Sequence, residues 1–255
     1  MKYIKVIWRH IFEEEPYAFY SEIDSQGYEI RKIEFLKNGE LIGFADENQT
    51  WGETILSDQT IPTIEEIIED DAFDGFEITK DDFETIWNNV LHCDLFPDWK
   101  TAEQLYPTIL SLLKDYEIFV DNNGDEDWAE YKSLEEKLHK LTNKQMESYN
   151  LYETWENEGI EVASYRIALP NPKKIDKITK TDVRNILRQL KNVKLYDTPW
   201  EDQTFQQQFE LYLDDYYHQL LKVNFKNYNY QKLFTKQKNS TWLTNDEILE
   251  QLLLK

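Results

Sequence analysis

The placement of glycine divides this chain of 255 residues into two regimes. Five of its 7 glycines fall between residues 27 and 75, two follow at positions 124 and 159, and none comes later. Glycine is common in the turns that join strands and destabilises the interior of helices. We therefore expect short strands and turns at the start of the chain, followed by long helices.

The first region predicts a small antiparallel sheet with helices. The Asn38-Gly39 pair is a strong hairpin signal, because both residue types tolerate a positive φ. Two short helices are expected next, at Thr63–Asp71 and after the capping residue Thr79. This order indicates an α+β fold. The expected strands, rich in aromatic and β-branched residues, are Tyr3–Trp8, Ala18–Ile23, Tyr28–Phe35 and Leu41–Ala45.

The rest of the chain is expected to be mainly helical, with one strand at Ile160–Leu169. A helix after Thr142 should end at Gly159, and a long helix should run from Thr198 to about Val223. A boundary near Pro97 gives an acidic α+β domain at residues 1–95 and a mainly helical domain at residues 96–255. The polar residues that cap these apolar stripes are Asp127, Thr142, Thr181, Thr198 and Thr244.

Acidic side chains dominate the first region. The chain has a net charge of −22, and residues 1–95 carry 23 acidic but only 7 basic side chains. A surface of this sign repels nucleic acids and anionic lipids, whereas it accelerates encounter with a basic protein. We expect an exposed Trp51 to serve as the aromatic anchor of such a contact. The candidate partner-binding carboxylates are Glu13, Glu14, Glu15, Glu65, Glu66, Glu69, Asp70, Asp71 and Asp74.

Motifs for catalysis, metals and cofactors are weak in this sequence. It contains no phosphate loop, dinucleotide loop or nucleophile elbow, and its four histidines are dispersed. The segment Asp121–Asp127 resembles a calcium loop, but neither alignment of its glycine satisfies an EF-hand. Cys93 is expected to be a buried thiol. We therefore expect no cofactor, no metal site and no enzymatic activity, with an enzyme that uses surface carboxylates and His10 as an alternative.

The compartment follows from two further observations. No apolar run approaches the ~18 residues that a membrane span requires. The first residues, MKYIKVIWRH, carry charges inside their apolar stretch, unlike a secretory signal peptide. A cytoplasmic protein without membrane or nucleic-acid partners is the resulting expectation.

Three motifs in residues 1–90 carry a family resemblance. They are K-Y-I-K-V-x-W-x-H from Lys2 to His10, Y-S-E-x-D from Tyr20 to Asp24, and E-x-R-K-I-E from Glu29 to Glu34. This segment resembles a bacterial family of small α+β domains of unknown function, whose members are similar to immunity proteins of toxin systems. The resemblance implies no catalytic residues, and it does not extend into residues 96–255.

The charge and the resemblance together favour one function. We expect a non-catalytic immunity protein that binds a cognate bacterial toxin domain, a cationic nuclease, and neutralises it by steric and electrostatic blocking. The basic toxin domain is then the expected partner. An acidic adaptor or nucleic-acid mimic of another bacterial system is a further alternative.

Overall fold

A six-stranded antiparallel sheet forms the N-terminal part of the structure, a computed structural model that describes residues 1–91, 94–152, 158–191, 196–237 and 241–254. Its order is β5-β4-β3-β2-β1-β6, so that β6 lies on the outer side of β1. The four predicted strands are confirmed, whereas β5 and β6 were not predicted. The strands are β1 (Lys2–Trp8), β2 (Ala18–Ile23), β3 (Glu29–Phe35), β4 (Leu41–Asp46), β5 (Thr50–Trp51) and β6 (Phe73–Glu77).

Helices fill most of the remaining described chain. Within the described residues they are α1 (Ile64–Ile67), α2 (Lys80–Leu91), α3 (Trp99–Asn123), α4 (Ala129–Thr142), α5 (Ile160–Ala168), α6 (Lys180–Gln189), α7 (Phe205–Phe209), α8 (Asp214–Asn224), α9 (Tyr230–Leu233) and α10 (Asn245–Leu253). A sheet followed by a mainly helical region is an α+β fold, as predicted.

Turn and cap residues begin or end several of these elements as the sequence indicates, although α6 begins after Thr179 rather than Thr181 and α1 ends at Ile67 rather than Asp71. Gly39 has a φ of +82° in the hairpin between β3 and β4. The Thr79 hydroxyl accepts the Asp82 N–H at 3.1 Å at the start of α2. Thr244 and Glu247 form the predicted capping box of α10. Each of these side chains or backbone conformations fixes where an element begins or ends.

The compact unit that contains the sheet comprises Met1–Phe96, Ile175–Asn192 and Asn224–Lys255. Helix α6 packs on β4, where the Asn185 side-chain amide donates to the Ile42 carbonyl at 2.7 Å. Helix α10 packs on α6 in turn. Among the described residues, the unit thus takes in three helices from the C-terminal part of the chain, α6, α9 and α10, and the division into domains at residues 1–95 and 96–255 stays a prediction.

The second compact unit comprises Pro97–Lys174 and Val193–Val223. Its helices α3, α4 and α5 enclose an apolar core that includes Ile109, Leu138 and Ile167, each of which is fully buried. A cluster of aromatic rings extends this core, with Tyr165 stacked on Phe209 at a centroid distance of 4.6 Å. Burial of this apolar area is the main stabilising contribution to the unit.

Three predicted elements of the helical region are wrong. The expected strand Ile160–Leu169 is helix α5, in which only Glu161 is exposed and the other residues are buried or half-buried. The expected helix after Thr142 is absent from residues 143–152, where Asn143 instead ends α4 in the left-handed conformation. The long helix expected from Thr198 to Val223 is broken, because Thr204 begins the separate short helix α7 with its own capping box.

Two other predictions differ in detail or cannot be placed. Helix α4 begins after Trp128 rather than after Asp127, although an Asp127 carboxylate oxygen accepts the Ala129 N–H at 3.2 Å. The expected buried thiol Cys93 and its neighbour His92 lie outside the described residues. In the described part of the chain, none of the helices combines the length and apolarity needed to cross a membrane.

Candidate acidic interaction surface

The pairing of β1 with β6 brings two acidic segments to one end of the sheet. Trp8 lies opposite Phe73 in this pairing, and the Arg9 N–H donates to the Ala72 carbonyl at 2.7 Å. One acidic segment follows the end of β1 and the other runs from α1 into the start of β6, so they are neighbours although about 50 residues separate them in sequence. We call them together the acidic surface: Glu13, Glu14, Glu15, Glu65, Glu66, Glu69, Asp70, Asp71 and Asp74.

Four of these carboxylates have structural partners. Glu66 accepts the Thr63 N–H at 2.8 Å in the capping box of α1, and this bond lowers the pKa of Glu66. Asp70 accepts the Ala72 N–H at 2.8 Å. The two remaining members form ion pairs with arginines that sequence reasoning did not associate with this surface: Asp74 with Arg9 at 3.5 Å and Glu14 with Arg184 at 3.3 Å.

The other five carboxylates point into solvent. Glu13, Glu15, Glu65, Glu69 and Asp71 are exposed, and their side chains have no hydrogen bond or ion pair to any residue in the described ranges. Like charges on one surface repel one another, and a bound cation relieves that repulsion. These five side chains are therefore the part of the acidic surface that is available to a basic partner.

Trp51 does not belong to the acidic surface. The prediction of an exposed anchor at this position is wrong, since only 2% of the residue is exposed. Its ring lies edge-on to Phe96 at a centroid distance of 4.8 Å, and β5 holds it opposite Phe44 on β4. Burial of so large an apolar ring makes Trp51 a core residue.

Two apolar side chains that were not predicted lie on the loop that carries the first acidic segment. Ile11 is 92% exposed and Phe12 is 58% exposed. His10 holds this loop: its Nε2 lies 3.0 Å from the Pro16 carbonyl oxygen, and its Nδ1 accepts the Phe12 N–H at 3.1 Å. Adjacent exposed apolar residues beside free carboxylates are typical of a binding surface. Their sequence signal is their position just beyond the end of β1.

The same bonds bear on the alternative role of His10 as a catalytic base. Both of its ring nitrogens face backbone groups of its own loop, with the Nε2–H donating and Nδ1 accepting. The ring also lies 4.3 Å from Trp8 and 5.6 Å from Phe12. These contacts give His10 a positioning role in the loop.

Arg31, a charged residue of the motif E-x-R-K-I-E, forms ion pairs inside the domain. Arg31 on β3 binds Glu22 on β2 and Glu84 on α2, and its guanidinium carbon lies 4.8 Å from the centre of the Phe83 ring. Burial opposes the charge of Arg31, but the hydrogen bonds from its guanidinium to Glu84 and Glu22 outweigh this and raise its pKa. The residue therefore joins the sheet to α2.

A second network involves Lys32, the next residue along β3. Its ammonium lies 3.2 Å from Glu34 and 3.7 Å from Glu29, and both carboxylates are buried. Ser21 donates to Glu29 at 2.6 Å, and Thr54 donates to Glu34 at 2.7 Å. The motif E-x-R-K-I-E is thus explained by internal pairing of its charges, because buried carboxylates need such partners.

The acidic segment that resembles a calcium loop also has a structural role. The Asp125 carboxylate accepts the Tyr131 N–H at 2.8 Å and the Glu130 N–H at 3.3 Å at the start of α4. It accepts the Tyr116 hydroxyl as well, at 3.3 Å. Among the residues with a described position, no group of three His, Cys, Asp or Glu side chains is arranged to hold a metal ion.

Comparison with known proteins identifies one domain. Residues 2–92 match a family model described as a domain of unknown function (DUF6881). The match covers the whole sheet, α1 and α2, and it includes every member of the acidic surface. No curated protein and no solved structure matches the chain. The similarity therefore supports a common domain and assigns it no activity.

Proposed function

We propose that this chain is a non-catalytic binding protein whose acidic surface binds a basic protein domain. The observation that carries the proposal is the convergence of two acidic segments at the β1–β6 end of the sheet. Five of their carboxylates are exposed and have no partner among the described residues. Such a field attracts Lys and Arg side chains over a distance of about 10 Å at 0.1 M salt.

The apolar residues of the same loop supply the close contact. Electrostatic attraction raises the rate of encounter, whereas the lifetime of a complex depends on buried contacts. Ile11 and Phe12 extend into solvent next to Glu13, so a partner that binds the carboxylates would cover them. Ile11 and Phe12, rather than Trp51, are therefore the apolar anchors of the proposed contact.

We propose further that the partner is a cognate toxin domain, a cationic nuclease, and that the protein acts as its immunity protein. This step depends on the resemblance of residues 1–90 to domains similar to immunity proteins. A nuclease binds phosphates with Lys and Arg side chains. Carboxylates that pair with those cations would block the nuclease both sterically and electrostatically, without any chemical step.

Binding kinetics with a purified cationic toxin nuclease domain test the proposal. We expect the on-rate for the full chain to fall at least about ten-fold between 0.1 and 1 M salt, as screening shortens the Debye length to about 3 Å. The double variant Glu13→Lys/Glu69→Lys should slow association at low salt. These two positions are suitable because neither carboxylate bonds to another described residue.

The matched control is Glu47→Lys/Glu77→Lys, which changes the net charge equally. Both residues are exposed, and they follow β4 and end β6 at the opposite end of the sheet. This variant should associate nearly as fast as the wild type. An on-rate that is indifferent to salt and equal in both double variants would refute the role of the acidic surface. If the complex forms but cells that produce the toxin are not protected, neutralisation is refuted while binding stands.

A further inference from the structure

The second compact unit contains a cavity that none of the preceding functions uses. Its volume is about 450 Å³, within the range of about 300–1,000 Å³ that is typical of small-molecule sites. Residues from the chain after α4, from α5, from the turn after α5 and from the start of α8 form its wall. The wall combines aromatic and aliphatic side chains with amides: Tyr149, Leu169, Pro170, Tyr216, Asn171 and Gln219.

Lys144 gives this cavity a buried positive charge. Only 5% of the residue is exposed. Its ammonium donates to the Arg166 carbonyl at 2.7 Å and to the Tyr149 hydroxyl at 3.2 Å, and both of these residues also line the cavity. An ammonium has three N–H donors, and within the described ranges the third has no acceptor. No carboxylate of the described chain lies within 4.0 Å of it.

The other cation of the wall, Arg166, has carboxylate partners. The Arg166 guanidinium donates to Glu158 at 2.6 Å, to Asp215 at 2.6 Å and to Asp214 at 3.1 Å. Its backbone carbonyl, in contrast, accepts from Lys144. The Arg166 guanidinium thus binds three carboxylates. Lys144, in contrast, has no carboxylate partner in the described part of the chain.

We propose that this cavity binds a small carboxylic acid with an aromatic or aliphatic body, and that its carboxylate pairs with Lys144. The third N–H of the ammonium would bind a carboxylate oxygen in a charge-assisted hydrogen bond, which is stronger than a neutral one. The tyrosine and proline side chains of the wall would contact the apolar body. The pairing would also compensate the cost of burying an ammonium without a counterion.

Titration with 4-fluorophenylacetate, followed by ¹⁹F NMR, tests the proposal. The neutral isostere 4-fluorophenylacetamide has the same ring and lacks the charge. We expect saturable binding of the carboxylate, and binding of the amide that is at least about ten-fold weaker. The Lys144→Met variant should lose this preference. It should also fold, because methionine fills a similar volume without a buried charge.

The pH dependence separates pairing with Lys144 from binding elsewhere. Burial lowers the pKa of Lys144 to about 8, and no opposing cause contributes. The other titratable and charged groups of the wall near the ammonium are Tyr149, Arg166, Glu158 and Asp215. Burial raises the pKa of Tyr149 to about 12, so its hydroxyl stays neutral near pH 8. The carboxylate ligand binds the protonated form of Lys144, so the affinity of the cavity for this ligand should fall as the pH rises above 8. Binding at pH 8 should take up protons, because the ligand raises the pKa of Lys144. The Lys144→Arg variant should bind without this pH dependence.

Three results would overturn the proposal. One is equal affinity for the carboxylate and the amide, and another is unchanged carboxylate affinity in a folded Lys144→Met variant. The third is the absence of saturable binding up to about 10 mM, above the millimolar affinity that a fragment needs for detection. Each result is independent of the acidic surface, whose test uses a different partner and different variants.

Discussion

Replacement of Arg31 by methionine tests whether the motif charges of the matched domain hold the fold or serve a partner. The guanidinium binds Glu22 and Glu84 and lies 4.8 and 5.0 Å from the rings of Phe83 and Trp87. Methionine keeps most of the apolar stem but removes the charge. The variant therefore leaves the sheet and α2 in contact and deletes only their ionic connection.

The expected loss of stability follows from the exposure of the two carboxylates. Only 8% of the Glu22 side chain is exposed, whereas 31% of the Glu84 side chain is. Breaking a buried ion pair costs about 3–5 kcal/mol, because the remaining charge is uncompensated, and an exposed pair contributes less than about 1 kcal/mol. In the variant, Glu22 still accepts a hydrogen bond from the Tyr3 hydroxyl, 2.8 Å away in the wild type. Because this bond partly compensates the buried charge, the loss of stability should lie at the lower end of that range. We expect a loss of about 3 kcal/mol.

Urea denaturation at pH 7, followed by tryptophan fluorescence, measures this loss. The control is Arg9→Met, because 51% of the Arg9 side chain is exposed and its ion pair with Asp74 should contribute less than about 1 kcal/mol. Hydrogen bonding from Arg31 lowers the pKa of Glu84, so that part of the stabilisation disappears as the pH falls. The difference between wild type and variant should therefore narrow below about pH 4. An Arg31→Met protein with wild-type stability and impaired partner binding would refute the structural role.

Two further substitutions have expected effects on stability. Burial lowers the pKa of Lys144 from 10.5 to about 8. The free energy of unfolding of the wild type should therefore rise by about 3 kcal/mol as the pH rises from 8 to 10.5. Urea denaturation of Lys144→Met should show no such rise. Gly43→Ala should cost about 3 kcal/mol, since its methyl group would lie 2.2 Å from the Trp51 carbonyl oxygen. Thermal unfolding measures the second effect, and an unchanged melting temperature would contradict it.

The sheet was predictable where local chemistry determined it. Aromatic and β-branched segments and glycine turns specify β1 to β4 to within one residue at each end. Strand β6 was missed because its sequence, FDGFE, is acidic and contains glycine, and its pairing with β1 depends on contacts distant in sequence. The strand predicted at helix α5 is wrong because the two charged residues of this short segment, Glu161 and Arg166, are five positions apart and do not mark one polar helix face.

The candidate site was predictable in its charges and not in its arrangement. Exposure of the glutamates at 13–15 and 65–66 was predictable because carboxylates are rarely buried without a partner. Their proximity depends on the β1–β6 register, and the pairing of Glu14 with Arg184 joins residues 170 positions apart. Trp51 was misplaced because its polar and glycine neighbours resemble a loop, while Phe96 and Phe44 enclose it in the fold.

The domain match defines a segment of sequence that is smaller than the unit in which it folds. The match ends at residue 92, yet the edge of the sheet at β4 and β5 is covered by α6, where Asn185 donates to the Ile42 carbonyl and Gln189 to the Thr50 carbonyl. Three side chains of α6, Val183, Ile186 and Leu187, are fully buried in the same unit. Without α6, β4 and β5 would expose both apolar surface and backbone acceptors, which costs free energy and favours aggregation. Residues beyond the match therefore complete the unit that presents the acidic surface, and Arg184 on α6 also holds one of its carboxylates in place.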